Sequence, residues 1–293
     1  MIDRLFIFGA GFSARAFART LAPGTDVLGT TRSADKTARL KRAGIRPLLF
    51  SGESVSEPVA DALAGTTHLL VSAAPGEAGD PVLHAAAAAI AERMPKLAWI
   101  GYLSTVGVYG DHGGAWVDEE TPCRPASRRS TARLAAEDAW LALGRERGVP
   151  VAVLRLAGIY GPGRNAFVNL ERGTARRVVK PGQVFNRIHV DDIAGGLSHL
   201  IAGGHGGLYN LADDEPSPPQ DVVAHAAGLM GIEPPPEIAF EEAEMGPMAR
   251  SFYGECKRVS NARIKALGYR FARPTYRDAL AAMWRAGTWR SED

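Results

Sequence analysis

Six residues near the amino end have the types and spacing of a phosphate cradle: Gly9-Ala-Gly-Phe-Ser-Ala14 fits G-x-G-x-x-G/A. Gly9 permits a tight turn, and Gly11 lets the backbone approach a pyrophosphate with no Cβ in the way. Ala14 is small enough for a following helix to pack on the preceding strand. The free N–H groups at the start of that helix stabilise an anion. Gly9, Ala10, Gly11, Phe12 and Ser13 are therefore expected to hold the phosphates of a dinucleotide. A second signal ends the next apolar run. Thr30-Thr31-Arg32-Ser33 offers no Asp or Glu for a ribose 2′-hydroxyl, whereas the Arg32 guanidinium suits a 2′-phosphate. Thr31 and Arg32 join the expected cofactor residues, with NADP as the cofactor and NAD as the alternative. The competing reading of Arg32 is a solvated arginine at a helix start.

These residues need strands and helices to place them. Leu5 to Phe8 is a buried strand by its apolar run, and Ser13 to Leu21 is helical. Asp26 to Thr30, Ile45 to Phe50, His68 to Ser72 and Leu97 to Ser104 are the next strands, with a helix predicted over Ala34 to Ala43 and another over Asp80 to Met94. His68 to Ser72 leads into Ala73-Ala74-Pro75-Gly76, where small residues leave room for a cofactor, so Ala73 and Ala74 are expected to line it. Alternation through Leu156 implies βαβ units and an α/β fold with a doubly wound parallel sheet. Beyond Gly158 the texture changes. Gly161 to Glu171, a hairpin-like Val178 to Val184, and Pro234 to Tyr253 are expected as loops and small elements. Leu208 to Asp213 is a further strand, and Asp192 to Ile201 and Pro219 to Met230 are helical. Pro234-Pro-Pro236 with the acidic Glu241 to Glu244 is the best candidate for a mobile loop.

The chain has 293 residues, 46% hydrophobic and 23% charged, which is ordinary for a soluble globular protein. A net charge of +2 argues against a dedicated nucleic-acid or membrane-surface binder. Cys123 and Cys256 have no metal-ligand spacing and suggest no disulfide framework, which fits a reducing cytoplasm. No signal peptide is visible at the start, and the alanine-rich stretch Pro81 to Ile90 is too short to span a bilayer. The expected partners are a small-molecule substrate and at most a second copy of the chain as a homodimer.

Six stretches, in order, resemble the extended or atypical short-chain dehydrogenases/reductases of the NAD-dependent epimerase/dehydratase family. They are Gly9 to Ala14, Leu103-Ser-Thr-Val-Gly-Val-Tyr-Gly110, Leu154-Arg-Leu-Ala-Gly-Ile-Tyr-Gly-Pro-Gly-Arg164, Arg187-Ile-His-Val-Asp-Asp192, Leu208 to Asp213, and Ser260 to Tyr269. The resemblance implies a Rossmann cofactor domain over 1–160 plus 188–212. It also implies a small discontinuous carboxyl-side substrate domain over 161–187 and 213–293. Hydride would pass between a nicotinamide and a carbon bearing oxygen on a small polar substrate, a sugar nucleotide being common in the family.

The resemblance also places a catalytic set. The family's Ser/Thr, four residues before the tyrosine of Val-Tyr-Gly, falls on Thr105, with Ser104 as a fallback. Tyr109 and Tyr160 come from other family motifs; either is a candidate neighbour of the nicotinamide, with packing against the sheet edge as the competing reading. Where the family has Tyr-x-x-x-Lys, this chain has Arg129-Ser-Thr-Ala-Arg133. A guanidinium is not deprotonated in a protein, so Arg129 is no acid/base. Arg133 keeps a positive charge for a nicotinamide ribose. The alternative function is a non-catalytic NADP(H)-binding redox sensor. Arg164, Arg176 and Arg187, within a basic span that also holds Arg172, Arg177 and Lys180, are candidate contacts for an anionic substrate, with a solvated surface as the competing reading. His189 with Asp191 and Asp192 fits a helix cap better than a metal or catalytic cluster, either Asp suiting the N-cap. No metal site is expected, because the remaining histidines lack ligand spacing.

Overall fold

The computed structural model describes residues 2–76 and 78–290. Its elements run, in chain order, β1 (Arg4–Phe8), α1 (Phe12–Arg19), β2 (Asp26–Thr31), α2 (Thr37–Arg42), β3 (Arg46–Leu49), α3 (Glu57–Ala64), β4 (His68–Val71), α4 (Pro81–Arg93) and β5 (Trp99–Thr105). There follow β6 (Trp116–Val117), α5 (Arg128–Arg147), β7 (Val151–Leu156), β8 (Gly158–Tyr160), α6 (Ala166–Glu171), β9 (Arg177–Val179), β10 (Arg187–His189), α7 (Val190–Ala202) and β11 (Gly207–Leu211). The chain ends with α8 (Pro219–Met230), β12 (Glu237–Ala239), α9 (Pro247–Phe252), β13 (Arg258–Val259), α10 (Ala262–Ala266) and α11 (Tyr276–Ala286). The chain folds as two compact units. The first comprises 1–108, 125–155 and 193–209; the second comprises 109–124, 156–192 and 210–293.

A seven-stranded sheet of order β11-β7-β5-β4-β1-β2-β3 carries the Rossmann-like α/β fold. β1 lies between β2 and β4 and runs parallel to both, with Phe8 opposite Val71 and Ile7 opposite Gly29. Winding outward from β1 in both directions is the doubly wound topology, and the switch of direction falls between β1 and β4. Leu5 to Phe8, Leu69 to Val71 and Val151 to Leu154 are buried apolar runs, as strands covered on both faces must be. Phe6, Phe8, Val71, Ile100 and Trp140 belong to one core cluster of the first unit. Asp80 fixes the start of α4 by accepting from the Val82 and Leu83 N–H groups at 2.8 and 3.1 Å. Its other carboxylate oxygen accepts from the Trp140 indole at 3.1 Å, tying α4 to α5.

Three local expectations are corrected. Ala34 to Lys36 is a 3₁₀ turn that precedes α2, so the predicted continuous helix is broken. Lys180-Pro-Gly-Gln183 does turn, with Gln183 N–H donating to Lys180 C=O at 3.1 Å, but no hairpin forms. β9 pairs instead in parallel with β12, Val178 opposite Ile238, while Phe185 bridges to Ser217. The stretch expected as a mobile loop therefore supplies a strand, and Ala243 and Tyr253 pack on Val178 in a separate core cluster. The larger core of the second unit gathers Phe167, Tyr276, Leu280, Met283 and Trp289. Among the described residues no helix is long and apolar enough to cross a membrane.

Gly9 sits at the carboxyl end of β1 with φ +78°. A Cβ built there would lie 2.9 Å from the Ala73 N atom. Both facts forbid a side chain. Gly9→Ala should therefore lower the free energy of unfolding by about 2 kcal/mol or more. Urea denaturation followed by circular dichroism reads this directly, and an unchanged midpoint would contradict the geometry.

Candidate functional site

The glycine turn is pinned on both sides. Gly9 N–H donates to the Thr30 hydroxyl and Ala10 N–H to the Thr30 carbonyl, each at 2.9 Å, which fixes the turn to the end of β2. Ser72 and Ala73 N–H groups both donate to the Phe8 carbonyl, which fixes β4 on the other side. Ala73 lies against Gly9, as its expected place at the crevice requires, and Ala74 beyond it is exposed.

Gly11 is different in kind. Its backbone is extended, φ −83° and ψ −156°, which any residue adopts. A Cβ there would meet nothing of the protein closer than Gly9 O at 3.8 Å. The protein itself does not require glycine at this position. α1 begins at the next residue, and no side chain caps it. Its first N–H groups, from Phe12 and Ser13 onward, are the orphan donors every helix start carries, with the positive end of the helix dipole behind them. Ser13 and Ala14 are buried. The residues present fit the pyrophosphate of a dinucleotide.

Arg32 stands one residue beyond β2, exposed and, among the described residues, without a hydrogen-bond or ion-pair partner. Thr31 turns its hydroxyl toward the Ser33 backbone.

The end of β5 holds the candidate catalytic hydroxyls, and the structure separates them. Ser104 is buried and donates to Glu137, whose carboxylate receives two Arg155 nitrogens at 3.1 and 2.8 Å. Glu137 and Arg155 are 1% and 3% exposed, so this is a buried ion pair linking α5 to β7, with Ser104 as its third member. Ser104 is thereby corrected from a fallback catalytic group to part of the frame. Thr105 is half-buried, and its oxygen accepts from Gly107 N–H at 3.1 Å, leaving its own proton available.

Tyr109 is also corrected. It is fully buried in the second unit, and its phenol donates to Asn210 at 2.8 Å. That proton is committed to a residue of β11, so Tyr109 is no proton source. Arg133 reaches the Leu103 carbonyl and lies 5.7 Å from the centre of the Tyr102 ring. It braces α5 against β5. Burial pushes the Tyr102 phenol well above its ordinary range, although Arg133 opposes the shift. Arg129 is exposed on α5.

The basic span does not gather into one patch. Arg164 is exposed; Arg176 donates to the carbonyls of Gly173 and Ala175; Arg177 pairs with Glu237. Lys180 bonds the Tyr253 carbonyl. Arg187 alone of the three candidates is drawn inward, its Nη1 donating to Phe185 O and Ser217 Oγ. Asp192 is no N-cap. It lies inside α7, fully buried, and accepts from Tyr269 O–H and the N–H groups of Ala272 and Arg273 at 2.7 to 2.9 Å. His189 has its pKa lowered by burial and stacks edge-on to Tyr160.

A pinned glycine turn, an uncapped helix start and a doubly wound sheet together define a dinucleotide-binding α/β protein. The sequence model of the NAD dependent epimerase/dehydratase family matches residues 6–212, and the chain belongs to that family. It is 29% identical over 249 residues to "Protein YeeZ" of Escherichia coli K12, covering 80% of this chain and 86% of that protein. The solved structure of a functionally unknown protein from Silicibacter pomeroyi DSS is 49% identical, with a TM-score of 0.88 over 97% of this chain and 99% of that one. The human epimerase family protein SDR39U1, solved with NADPH, is similar in fold, with a TM-score of 0.72 at 19% identity over 96% of this chain and 99% of that one.

Gly11→Val should leave the fold intact, because its side chain meets open space, and abolish dinucleotide binding. Circular dichroism and calorimetry with NADPH separate the two effects. A folded Gly11→Val protein that still binds NADPH would remove the basis for the site.

Proposed function

We propose that the chain binds NADP through the turn at Gly9 to Ser13 and works as an oxidoreductase or epimerase-like protein on a small polar substrate. The observation that carries this is Gly11, a position where the protein tolerates a side chain and only a ligand on the backbone explains its absence. The unpaired, exposed Arg32 favours NADP over NAD, since its planar guanidinium matches a 2′-phosphate and would leave a 2′-hydroxyl site with an unused charge. When bound, the nicotinamide supplies a hydride donor or acceptor.

The chain's own residues have narrower roles. Thr105, with a free hydroxyl proton at the end of β5, orients a substrate oxygen. Arg133 supplies positive charge from α5 and cannot give up a proton at neutral pH. Arg129 cannot either. Proton movement therefore falls to Thr105 relaying from water. A specific observation keeps a second reading in view. The Tyr-x-x-x-Lys positions are both arginine, and Ser104 and Tyr109 are locked into structural hydrogen bonds. A non-catalytic NADP(H) sensor is the function left if no substrate turns over.

NADPH should bind about tenfold to a hundredfold more tightly than NADH, the value of one or two charge-assisted hydrogen bonds. Arg32→Glu should erase or reverse the preference in calorimetry. Equal affinities that the substitution does not change would refute the role of Arg32. Thr105→Ala should slow single-turnover NADPH oxidation on the order of a hundredfold, while Arg129→Ala leaves it nearly intact. The reverse pattern would show that the hydroxyl is misassigned. Tight NADPH binding without turnover on any substrate would give the sensor reading the lead.

A further inference from the structure

Arg133 is a cation that its immediate surroundings do not neutralise. Its Nη1 donates to the Leu103 carbonyl of β5, and its guanidinium lies 5.7 Å from the centre of the fully buried Tyr102 ring. Both neighbours are neutral, because burial keeps the Tyr102 phenol protonated well above its ordinary range. Among the described residues no carboxylate is within ion-pair distance of Arg133. The two acids whose charges reach Tyr102 are committed elsewhere. Glu137, one turn further along α5, is buried against Arg155, which pairs with it at 2.8 Å. Asp80 accepts from the Val82 and Leu83 N–H groups and from the Trp140 indole, so its charge faces the start of α4.

Two properties make this charge count. Arg133 is half-buried, so salt screens it less than a surface charge. A guanidinium also does not lose its proton in a protein, so the charge is permanent.

The order of the strands says which end of a dinucleotide meets it. Within the first unit the sheet runs β5-β4-β1-β2. A 2′-phosphate at Arg32 stands beyond β2, and a pyrophosphate over Gly11 stands beyond β1. The nicotinamide end then extends the other way, over β4 toward β5, which lies three strand spacings, about 14 Å, from β2. Arg133 holds the carbonyl of Leu103 in that strand.

We infer that, within the NADP site proposed above and dependent on it, Arg133 makes the chain selective for the reduced cofactor, NADPH, over NADP⁺. The two forms share every phosphate and differ by one positive charge, which the oxidised ring carries and the dihydronicotinamide lacks. Two unit charges about 10 Å apart at an effective dielectric constant of about 20 repel by enough for roughly a tenfold change in affinity. Occupancy then follows the reduced part of the cofactor pool rather than its total, which is the property a redox sensor needs. In a catalyst the same preference holds the cofactor in its hydride-bearing form.

The test is calorimetry of the whole chain with NADPH, NADP⁺ and adenosine 2′,5′-bisphosphate, which carries the phosphate for Arg32 and has no nicotinamide. NADPH should bind about tenfold more tightly than NADP⁺. Arg133→Gln should remove that difference and leave the affinity for the bisphosphate unchanged, whereas Arg133→Lys keeps the charge and should keep the difference. Circular dichroism checks that each variant is folded. Should Arg133→Gln fail to fold, Arg129→Glu decides: it sets a carboxylate one turn before Arg133 on the same helix face and should narrow the difference. Equal wild-type affinities for NADPH and NADP⁺ overturn the proposal, as does a preference that survives Arg133→Gln or is untouched by Arg129→Glu. A chain that does not bind the bisphosphate lacks the cofactor site itself; one that binds it and does not discriminate between NADPH and NADP⁺ refutes the role of Arg133 alone.

Discussion

Everything in the first unit depends on the turn at Gly9. Three strands meet there, held by Thr30 from one side and by the Phe8 carbonyl from the other. The backbone at Gly9 is left-handed, and Ala73 stands where a side chain would be. These constraints aim the start of α1 at the crevice between β1 and β4, and they leave Gly11 over open space. The fold therefore demands glycine at position 9 and not at position 11.

The second support is the buried set of Ser104, Glu137 and Arg155. A buried ion pair is a weak source of net stability, because desolvation cancels most of the attraction, but losing one partner strands the other charge. Here it fixes the carboxyl end of β5 against α5 and β7, and so fixes Thr105 and Arg133. The chain retains this frame although arginines stand where the family has its tyrosine and lysine. Arg133 has taken on a bracing role at Leu103 and Tyr102.

The sheet and the phosphate cradle were legible because their signals are local. An apolar run, a glycine turn and a helix start lie within a few residues of one another. What the sequence did not display depends on partners far along the chain. Tyr109 reads as a candidate beside a nicotinamide until Asn210 appears at its hydroxyl. Val178-Val179 reads as half of a hairpin because Pro181-Gly182 makes a genuine turn, yet its strand partner is Ile238. Asp192 looks like a cap, whereas its carboxylate collects N–H groups from a segment near the carboxyl end. One such partner is signalled in the sequence itself: Arg155 interrupts the apolar strand Val151 to Leu156, and a charge in such a run calls for a buried counter-ion. Glu137 is that counter-ion.

The most direct test of the cofactor site is a crystal structure of the wild-type chain grown with NADPH. The pyrophosphate should lie on the N–H groups of Phe12 and Ser13, passing over Gly11 Cα, and the 2′-phosphate should meet the Arg32 guanidinium. A dinucleotide bound elsewhere, or a turn at Gly9 to Ser13 with no dinucleotide at saturating NADPH, would contradict the assignment.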